Sequence, residues 1–384
     1  MKIDIWHNIL WSRYKGGVFS SLDKLARSRG VEISFFQIAE TDSQRQSLNA
    51  VDLSYHQYPF TLLFPGSYDS IRLVQLYFTL FWRVFRSDAD LIILCGYHRL
   101  EYWIQFLALL LLGRARGVFC DSTIADHPRS VLKGALKGFF FRNCDAIFCY
   151  GLRSKEYVLS YGVEPSRVRF RCQAAALPSD YDVKQVLARR LEEVSRTPLF
   201  LYVGRLSAEK NLARLIEAFA HLHRKSPHAR LRLVGDGPLL GTLQALVETQ
   251  GLADAVRFVG SLDQAALARE YLSATCLALP SLSEPWGIVV NEALSYGCPV
   301  LVSDHCGCCP ELVVEGISGF TFDPTSVAEI AAKMSSAAES WRDVEQTARN
   351  CLVLIQNYSP QIAAEQILDG CLSVVSDSTS QGAV

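Results

Sequence analysis

The chain has 384 residues, 49% hydrophobic and 20% charged, with a formal net charge of −1. That length suits two domains with sizeable cores, and the balanced charge argues against a general nucleic-acid binder. No run reaches the ~18 apolar residues of a membrane span; the longest, Trp103 to Leu112, contains Gln105 and reads as a core helix.

Met1–Trp6 reads as a first strand and not as a signal peptide, since no apolar segment of that kind follows. In the first half, strands are predicted at Lys2–Trp6, Val31–Gln37, Leu91–Leu94, Gly117–Cys120 and Ala146–Cys149. Helices fit Phe19–Ser28, Ser70–Phe85, Tyr102–Leu112, Arg129–Asn143 and Ser154–Tyr161. In the second half, short apolar strands fall at Leu199–Val203, Arg230–Val234, Val256–Val259, Cys276–Leu279 and Val300–Val302. Helices between them fit Leu212–Arg224, Pro238–Thr249, Gln264–Ser273 and Ile288–Tyr296. This alternation is the signature of α/β architecture with doubly wound parallel sheets, one per half. The pattern breaks near Gln173–Asp180, which predicts domains at 1–178 and 179–359. A helix at about 360–375 follows the complete second sheet, and the small polar tail 376–384 is expected to be disordered. Two such sheets with their strand C-terminal ends around one cleft would place a ligand between the domains.

Most of the twelve cysteines are scattered through apolar runs, as expected for buried thiols in a reducing, cytoplasmic setting. His305-Cys306-Gly307-Cys308-Cys309 lacks the second ligand pair of a zinc site, so no metal is expected there.

The richest stretch is Ser283-Glu284-Pro285-Trp286-Gly287-Ile288-Val289-Val290-Asn291-Glu292-Ala293-Leu294. Its punctuation predicts a loop and then a helix, with Ser283 as cap and Pro285 at the first helical position. A helix N-terminus suits a phosphate, and Glu284 and Glu292 would lie on roughly the same side to read hydroxyls. Alone, the pair reads equally as solvated glutamates on an exposed helix. Gly204-Arg205-Leu206-Ser207-Ala208-Glu209-Lys210-Asn211 follows a buried strand and brings two cations to its C-terminal end, suited to a diphosphate. Gly235-Asp236-Gly237-Pro238 and Gly260-Ser261-Leu262 are further strand-end loops, weak signals by themselves. In the first half, Lys15-Gly16-Gly17-Val18 lies between the first strand and a helix, where a glycine pair permits close approach of a phosphate. The absence of a G-x-G-x-x-G fingerprint there argues against a nicotinamide or flavin enzyme. Asp121-Ser122-Thr123 ends a strand, with Asp126 and His127 beyond; these suit a sugar hydroxyl or an acceptor, and Ser122 and Thr123 equally suit a cap or turn.

In this order, the features resemble the family-4 retaining glycosyltransferases of GT-B architecture. The match is concentrated between Leu199 and Pro324. Glu284 and Glu292 correspond to the family's paired glutamates, Gly204, Arg205, Lys210 and Asn211 to its Gly-Arg…Lys-Asn segment, and Gly235, Gly237 and Pro238 to its glycine turn. Cys298-Pro299-Val300, Pro310-Glu311-Leu312-Val313 and Gly316…Gly319 continue the pattern. Two departures stand out: Asp121 occupies a position where many members have His, and Cys172-Gln173-Ala174-Ala175-Ala176 replaces an Asn-Gly-Val-Asp segment.

The resemblance implies two facing Rossmann-like domains, with the last helix packing back on the first. It implies sugar transfer with retention from a nucleotide-diphosphate sugar, UDP- or GDP-linked, to a saccharide or lipid-linked acceptor. Arg205 and Lys210 would hold the diphosphate, Glu292 the ribose, and Glu284 with the backbone of Trp286, Gly287, Ile288 and Val289 the donor sugar. Gly16, Gly17, Gly204, Gly235 and Leu262 would line the donor site, and Asp121 would join Glu284, Arg205 and Lys210 at the reaction centre. No metal or cofactor is implied. From Arg99 to Arg171 the chain carries twelve Lys or Arg against six Asp or Glu. Arg129, Lys133 and Lys137 recur every four residues among Leu132, Leu136 and Phe139, the pattern of a basic amphipathic helix suited to an anionic membrane surface. A peripheral place on the inner face of the cytoplasmic membrane, in polysaccharide or glycolipid assembly, is therefore expected. A GT-B epimerase and a non-catalytic nucleotide-sugar binder are the alternatives.

Overall fold

The computed structural model describes residues 1–43, 45, 51–124, 131–341 and 343–381, without the side chains of 131 and 375–381. Asp126, His127 and Arg129 lie outside the described residues. The chain forms two compact units, Met1–Pro178 with Ser359–Val384, and Ser179–Tyr358.

The first unit begins with β1 (Lys2–Ile9), α1 (Arg13–Ser28), β2 (Glu32–Thr41), β3 (Phe60–Ser67), α2 (Leu73–Arg86) and β4 (Leu91–Leu94). It continues with α3 (Leu100–Leu111), β5 (Ala115–Cys120), α4 (Val131–Arg142), β6 (Ala146–Cys149), α5 (Leu152–Leu159) and β7 (Val168–Arg169). The second unit runs through α6 (Val183–Glu193), β8 (Leu199–Val203), α7 (Leu212–Lys225), β9 (Arg230–Val234), α8 (Leu240–Thr249), β10 (Val256–Gly260) and α9 (Gln264–Ser273). It ends with β11 (Cys276–Leu279), α10 (Ile288–Ser295), β12 (Val300–Ser303), α11 (Cys309–Leu312), β13 (Gly319–Phe322), α12 (Val327–Ser340) and α13 (Val344–Ile355). The chain then returns to the first unit as α14 (Pro360–Gln381).

Both sheets are parallel throughout, in the orders β3-β2-β1-β4-β5-β6-β7 and β10-β9-β8-β11-β12-β13. β4, β6, β11 and β12 are buried at every position. Inner parallel strands covered by helices on both faces require this, and it explains why they read as unbroken apolar runs. In the first unit, α2, α3 and α4 enclose one core with Ile92, Phe106 and Phe140, while α1 and α14 enclose the other with Ile5, Phe19, Ile367 and Leu368. Ile367→Ala removes a fully buried side chain from that second core. It is expected to destabilise the first unit by about 2–4 kcal/mol in urea unfolding; a loss under about 1 kcal/mol would make α14 a peripheral strap.

Several elements lie beyond the sequence pattern. β3 carries Pro65 and Gly66, which read as a turn but are tolerated because β3 is an edge strand. α6, α12 and α13 begin at the side-chain caps Asp182, Ser326 and Asp343, which accept from the backbone N–H three residues on. The expected disordered tail from Ser376 is instead helical to Gln381, continuing α14. Among the described residues, no helix is long and apolar enough to cross a membrane.

Candidate functional site

In the second unit the strand order reverses between β8 and β11, whose loops leave the same sheet edge side by side. That topological switch point is where open α/β sheets bind ligands. The loop after β8 carries Gly204, Arg205 and Lys210; the loop after β11 carries Glu284. Leu282 N–H donates to the Glu209 carbonyl at 2.8 Å. Asn211, in left-handed backbone at φ 57°, donates its amide to the carbonyls of Pro280 (3.1 Å) and Pro324 (2.8 Å). The two loops are thus locked together, and the Lys210 ammonium donates to the Glu284 carboxylate, with side chains only 16% and 17% exposed. Arg205, more exposed, pairs with Glu209 at 3.1 Å. The structure therefore unites Lys210 with Glu284 but turns Arg205 along its own loop.

Around this pair the other strand ends converge. Gly204 N–H bonds the Val234 carbonyl (3.0 Å) and Gly235 N–H bonds the Gly260 carbonyl (2.8 Å), tying the ends of β8, β9 and β10. A Cβ on Gly235 would stand 2.0 Å from the Gly204 carbonyl oxygen, so only glycine permits this contact. Leu262 lies half-buried just past β10. Glu292, on α10, accepts from Tyr271 Oη of α9 at 2.8 Å. Burial, and then the Glu292 charge, push the Tyr271 phenol well above its ordinary value, so it stays a donor.

The glutamate loop differs from its predicted form. Neither Ser283 nor Pro285 opens the helix: α10 starts at Ile288, with Gly287 at φ 95° as its N-cap. Residues 284–286 instead form a bridged, bending loop held against the segment after β12. Glu284 bridges to Cys306, Gly307 N–H donates to the Glu284 carbonyl (2.9 Å), and Cys308 N–H donates to the Trp286 carbonyl (3.1 Å). The Trp286 indole is buried and donates to Asn291 Oδ1 at 2.7 Å, so it anchors the loop, while the backbone from Gly287 to Val289 forms the start of α10. The sequence reading had no role for 305–309; here that segment supports Glu284. Cys306, Cys308 and Cys309 are buried, and among the described residues no group of three His, Cys, Asp or Glu is placed to hold a metal ion.

The first unit has its own switch point, between β1 and β4. α1 begins at Arg13, so Gly16 and Gly17 lie inside its first turns rather than ahead of the helix. The Gly16 N–H is taken by the Ser12 carbonyl (3.0 Å), and a Cβ on Gly16 would meet the His56 ring at 3.0 Å. Any ligand approach there rests on absent side chains, not on free N–H groups. Beside them Lys15 is 1% exposed, and its ammonium has no hydrogen-bond partner among the described residues. It lies 4.2 Å from the Phe119 ring centroid and 4.6 Å from that of Tyr150. Burial pushes the Lys15 ammonium down to about 8, against the pull of Cys172 and Asp121. Asp121 itself is exposed at the end of β5, and its charge acts on Lys15, His98 and Tyr150. Lys15 is the residue the sequence reading passed over, although it stood beside the noted glycine pair.

Two buried histidines neighbour this corner. His7 Nδ1 donates to the Ile9 carbonyl (3.0 Å), and His56 Nδ1 lies 2.9 Å from Tyr58 Oη. Burial, and then Lys15, lower His7 to about 3; burial lowers His56 to about 4. Both are neutral in the fold, while in the unfolded chain they take protons below their ordinary 6.5. The stability they confer is complete above about pH 6.5 and is lost as pH falls toward about 4 for His56 and about 3 for His7, on the order of a few kcal/mol. Thermal midpoints should decline over that window in the wild type and less in His7→Gln/His56→Gln. Parallel declines would place the acid sensitivity elsewhere.

Residues 183–351 match the family model described as "Glycosyl transferases group 1". The chain is 28% identical over 190 residues to alpha-D-kanosaminyltransferase of Streptomyces kanamyceticus, covering 49% of each chain. It is 35% identical over 140 residues to sulfoquinovosyl transferase SQD2 of Arabidopsis thaliana, covering 36% of this chain and 26% of that one. The matches thus span about half or less of these relatives' length. Among solved structures, Anabaena Alr3699/HepE in complex with UDP superposes with a TM-score of 0.72 at 18% identity, covering 97% of this chain and all of that one. The family match lies within the second unit, and the fold is of GT-B architecture.

Proposed function

We propose that the chain, carrying a glycosyl transferases group 1 domain in a GT-B fold, is a family-4 retaining glycosyltransferase that moves a hexose from a nucleotide-diphosphate sugar to an acceptor hydroxyl. The observation that carries this reading is the Lys210–Glu284 pair at the β8–β11 switch point, ringed by the close-packed ends of β8, β9 and β10. Lys210 and Arg205 hold the donor diphosphate, Glu292 the ribose hydroxyls, and Glu284 with the backbone from Trp286 to Val289 the sugar; Gly204, Gly235 and Leu262 shape the nucleotide side. Gly16, Gly17 and Asp121 are the residues of the first unit to which the family resemblance gives donor-side and reaction-centre roles.

In the proposed reaction the acceptor oxygen attacks the anomeric carbon from the face the diphosphate leaves. The carbon–oxygen bond to the phosphate breaks, the acceptor proton passes to the departing phosphate oxygen, and the nucleoside diphosphate is released. Charge on that leaving group is met by Lys210, Arg205 and the N-terminal end of α10, so no metal or cofactor is part of the proposal. A carboxylate nucleophile beneath the sugar is not assigned. The acceptor is a saccharide or a lipid-linked saccharide in polysaccharide or glycolipid assembly. The protein would act in the cytoplasm at the inner membrane face, with Lys133 of α4 toward anionic lipid.

A thermal-shift screen against UDP-, GDP- and ADP-sugars tests the reading. One nucleotide class should stabilise the protein, by about 2.7 kcal/mol at a hundredfold excess over its dissociation constant, and an added acceptor should release its nucleoside diphosphate. Stabilisation with a sugar isomerised and no acceptor needed would establish the epimerase. Silence toward every nucleotide sugar would remove the proposal.

A further inference from the structure

Helix α2 is apolar on two faces. Leu76, Leu80 and Val84 are fully buried against the first unit's sheet. On the opposite side Val74, Phe78, Phe81 and Phe85 recur at the spacing of a helix stripe and face outward, Val74 82% and Phe78 63% exposed. Trp82, half-buried, links this stripe: its ring centroid lies 5.8 Å from Phe78, 5.9 Å from Phe81 and 5.4 Å from Phe85. The patch continues along α3, which packs beside α2 and exposes Leu107 and Leu111. It extends to α4, joined to α3 by Trp103 and Phe106 against Phe139 and Phe140, where Leu132 and Leu136 are exposed. Among the described residues, twelve of the nineteen exposed large apolar side chains lie on these three helices or the cap of α3. Soluble surfaces seldom gather so many.

Charge selects the occupant. α2 and α4 contain no acidic residue, and the single acid of α3, Glu101, is buried and accepts from Tyr68 Oη at 2.6 Å. Arg86 and Lys133 are exposed beside the patch, the Arg86 guanidinium 5.2 Å from the Trp82 ring centroid, whereas Arg83 continues the Leu76–Leu80 row and lies 5.8 Å from the Phe36 ring centroid. Lys137, which the sequence pattern placed on the same basic face, instead donates to Tyr157 Oη at 2.8 Å and is half-buried.

We infer that the α2 stripe, with Arg86 and Lys133 beside it, seats the first unit on an anionic lipid surface, its phenyl rings in the acyl boundary and its cationic groups among the headgroups. This deepens the anionic-surface contact proposed for α4, shifts its centre to α2, and does not depend on sugar transfer.

Vesicle co-sedimentation tests it without donor or acceptor, so its outcome is independent of the reaction. Vesicles of phosphatidylcholine containing about a third phosphatidylglycerol should pull down the full chain at low salt, and phosphatidylcholine alone should do so much less. Phe78→Asp/Phe85→Asp should reduce partitioning at least about tenfold with an unchanged circular dichroism spectrum, since these rings lie on the outward face. Arg86→Glu/Lys133→Glu, exposed on α2 and α4, should do the same and carries the test should the first variant fold poorly. Wild-type protein left in the supernatant at low salt, or both variants binding like the wild type, would overturn the inference. So would light scattering showing a dimer that Phe78→Asp/Phe85→Asp dissolves while anionic vesicles bind neither protein; the stripe would then be a contact between copies of this chain.

Discussion

Lys210→Ala and Glu284→Ala are each expected to lower turnover by about 100- to 1,000-fold, the range for loss of one group aimed at developing charge in a water-poor site. The two side chains hold each other at the β8–β11 switch point, and both are largely shielded from solvent. Removing Lys210 takes away a cation from the proposed diphosphate and leaves the Glu284 carboxylate poorly solvated. Removing Glu284 frees the ammonium but loses the sugar contact. A stability cost of about 1–3 kcal/mol accompanies either, between the values for exposed and buried ion pairs. Lys210→Met/Glu284→Gln separates these contributions. It removes both charges at similar size, so it should recover most of the stability and none of the activity. Steady-state kinetics and urea unfolding on the four proteins decide the matter. Turnover within tenfold of wild type for both single variants would remove the pair from the reaction centre.

Gly307→Ala should impair the same site from behind. Its new methyl would stand 1.8 Å from the Pro285 carbonyl oxygen and 3.3 Å from Trp286 Cα, so the 284–286 loop must move. Moving it strains the Gly307–Glu284 and Cys308–Trp286 backbone bonds that hold Glu284 in place. A displacement of roughly 1 Å at a positioning residue costs about 100-fold in rate, and the overpacking costs about 1–3 kcal/mol. Gly241→Ala is the control: it lies in α8 with nothing within 4 Å of the new methyl, and it should be neutral or stabilising by up to about 1 kcal/mol. Wild-type kcat/KM in Gly307→Ala would show that the loop keeps its catalytic form without this support.

The inner strands were readable because burial on both faces leaves a local mark: Leu91–Leu94, Ala146–Cys149, Leu199–Val203 and Cys276–Leu279, each buried throughout, have their predicted bounds. Edge strands carry a weaker mark. β3 contains Pro65 and Gly66, and β13 starts on Gly319, so both resemble turns until a neighbouring strand is known. The start of α10 was misplaced for a related reason. Ser283 and Pro285 have good helix-opening chemistry, but Cys306 and Gly307, about twenty residues downstream, hold that backbone in a non-helical loop.

The sequence by itself determined the α/β alternation, the positions of the strand-end loops and the kinds of side chain they carry, because each follows from contacts within a few residues along the chain. Only the tertiary structure decided which of those loops meet. Strand order places the Lys210 loop beside the Glu284 loop, and places the cysteine segment under the latter. It also decided which apolar face of α2 is covered: helical periodicity shows that both Leu76–Leu80–Val84 and Val74–Phe78–Phe81–Phe85 are stripes, but only packing against the sheet buries the first and leaves the second to solvent. Strand order and packing sum many weak, long-range contacts, and no local pattern of residues records that sum.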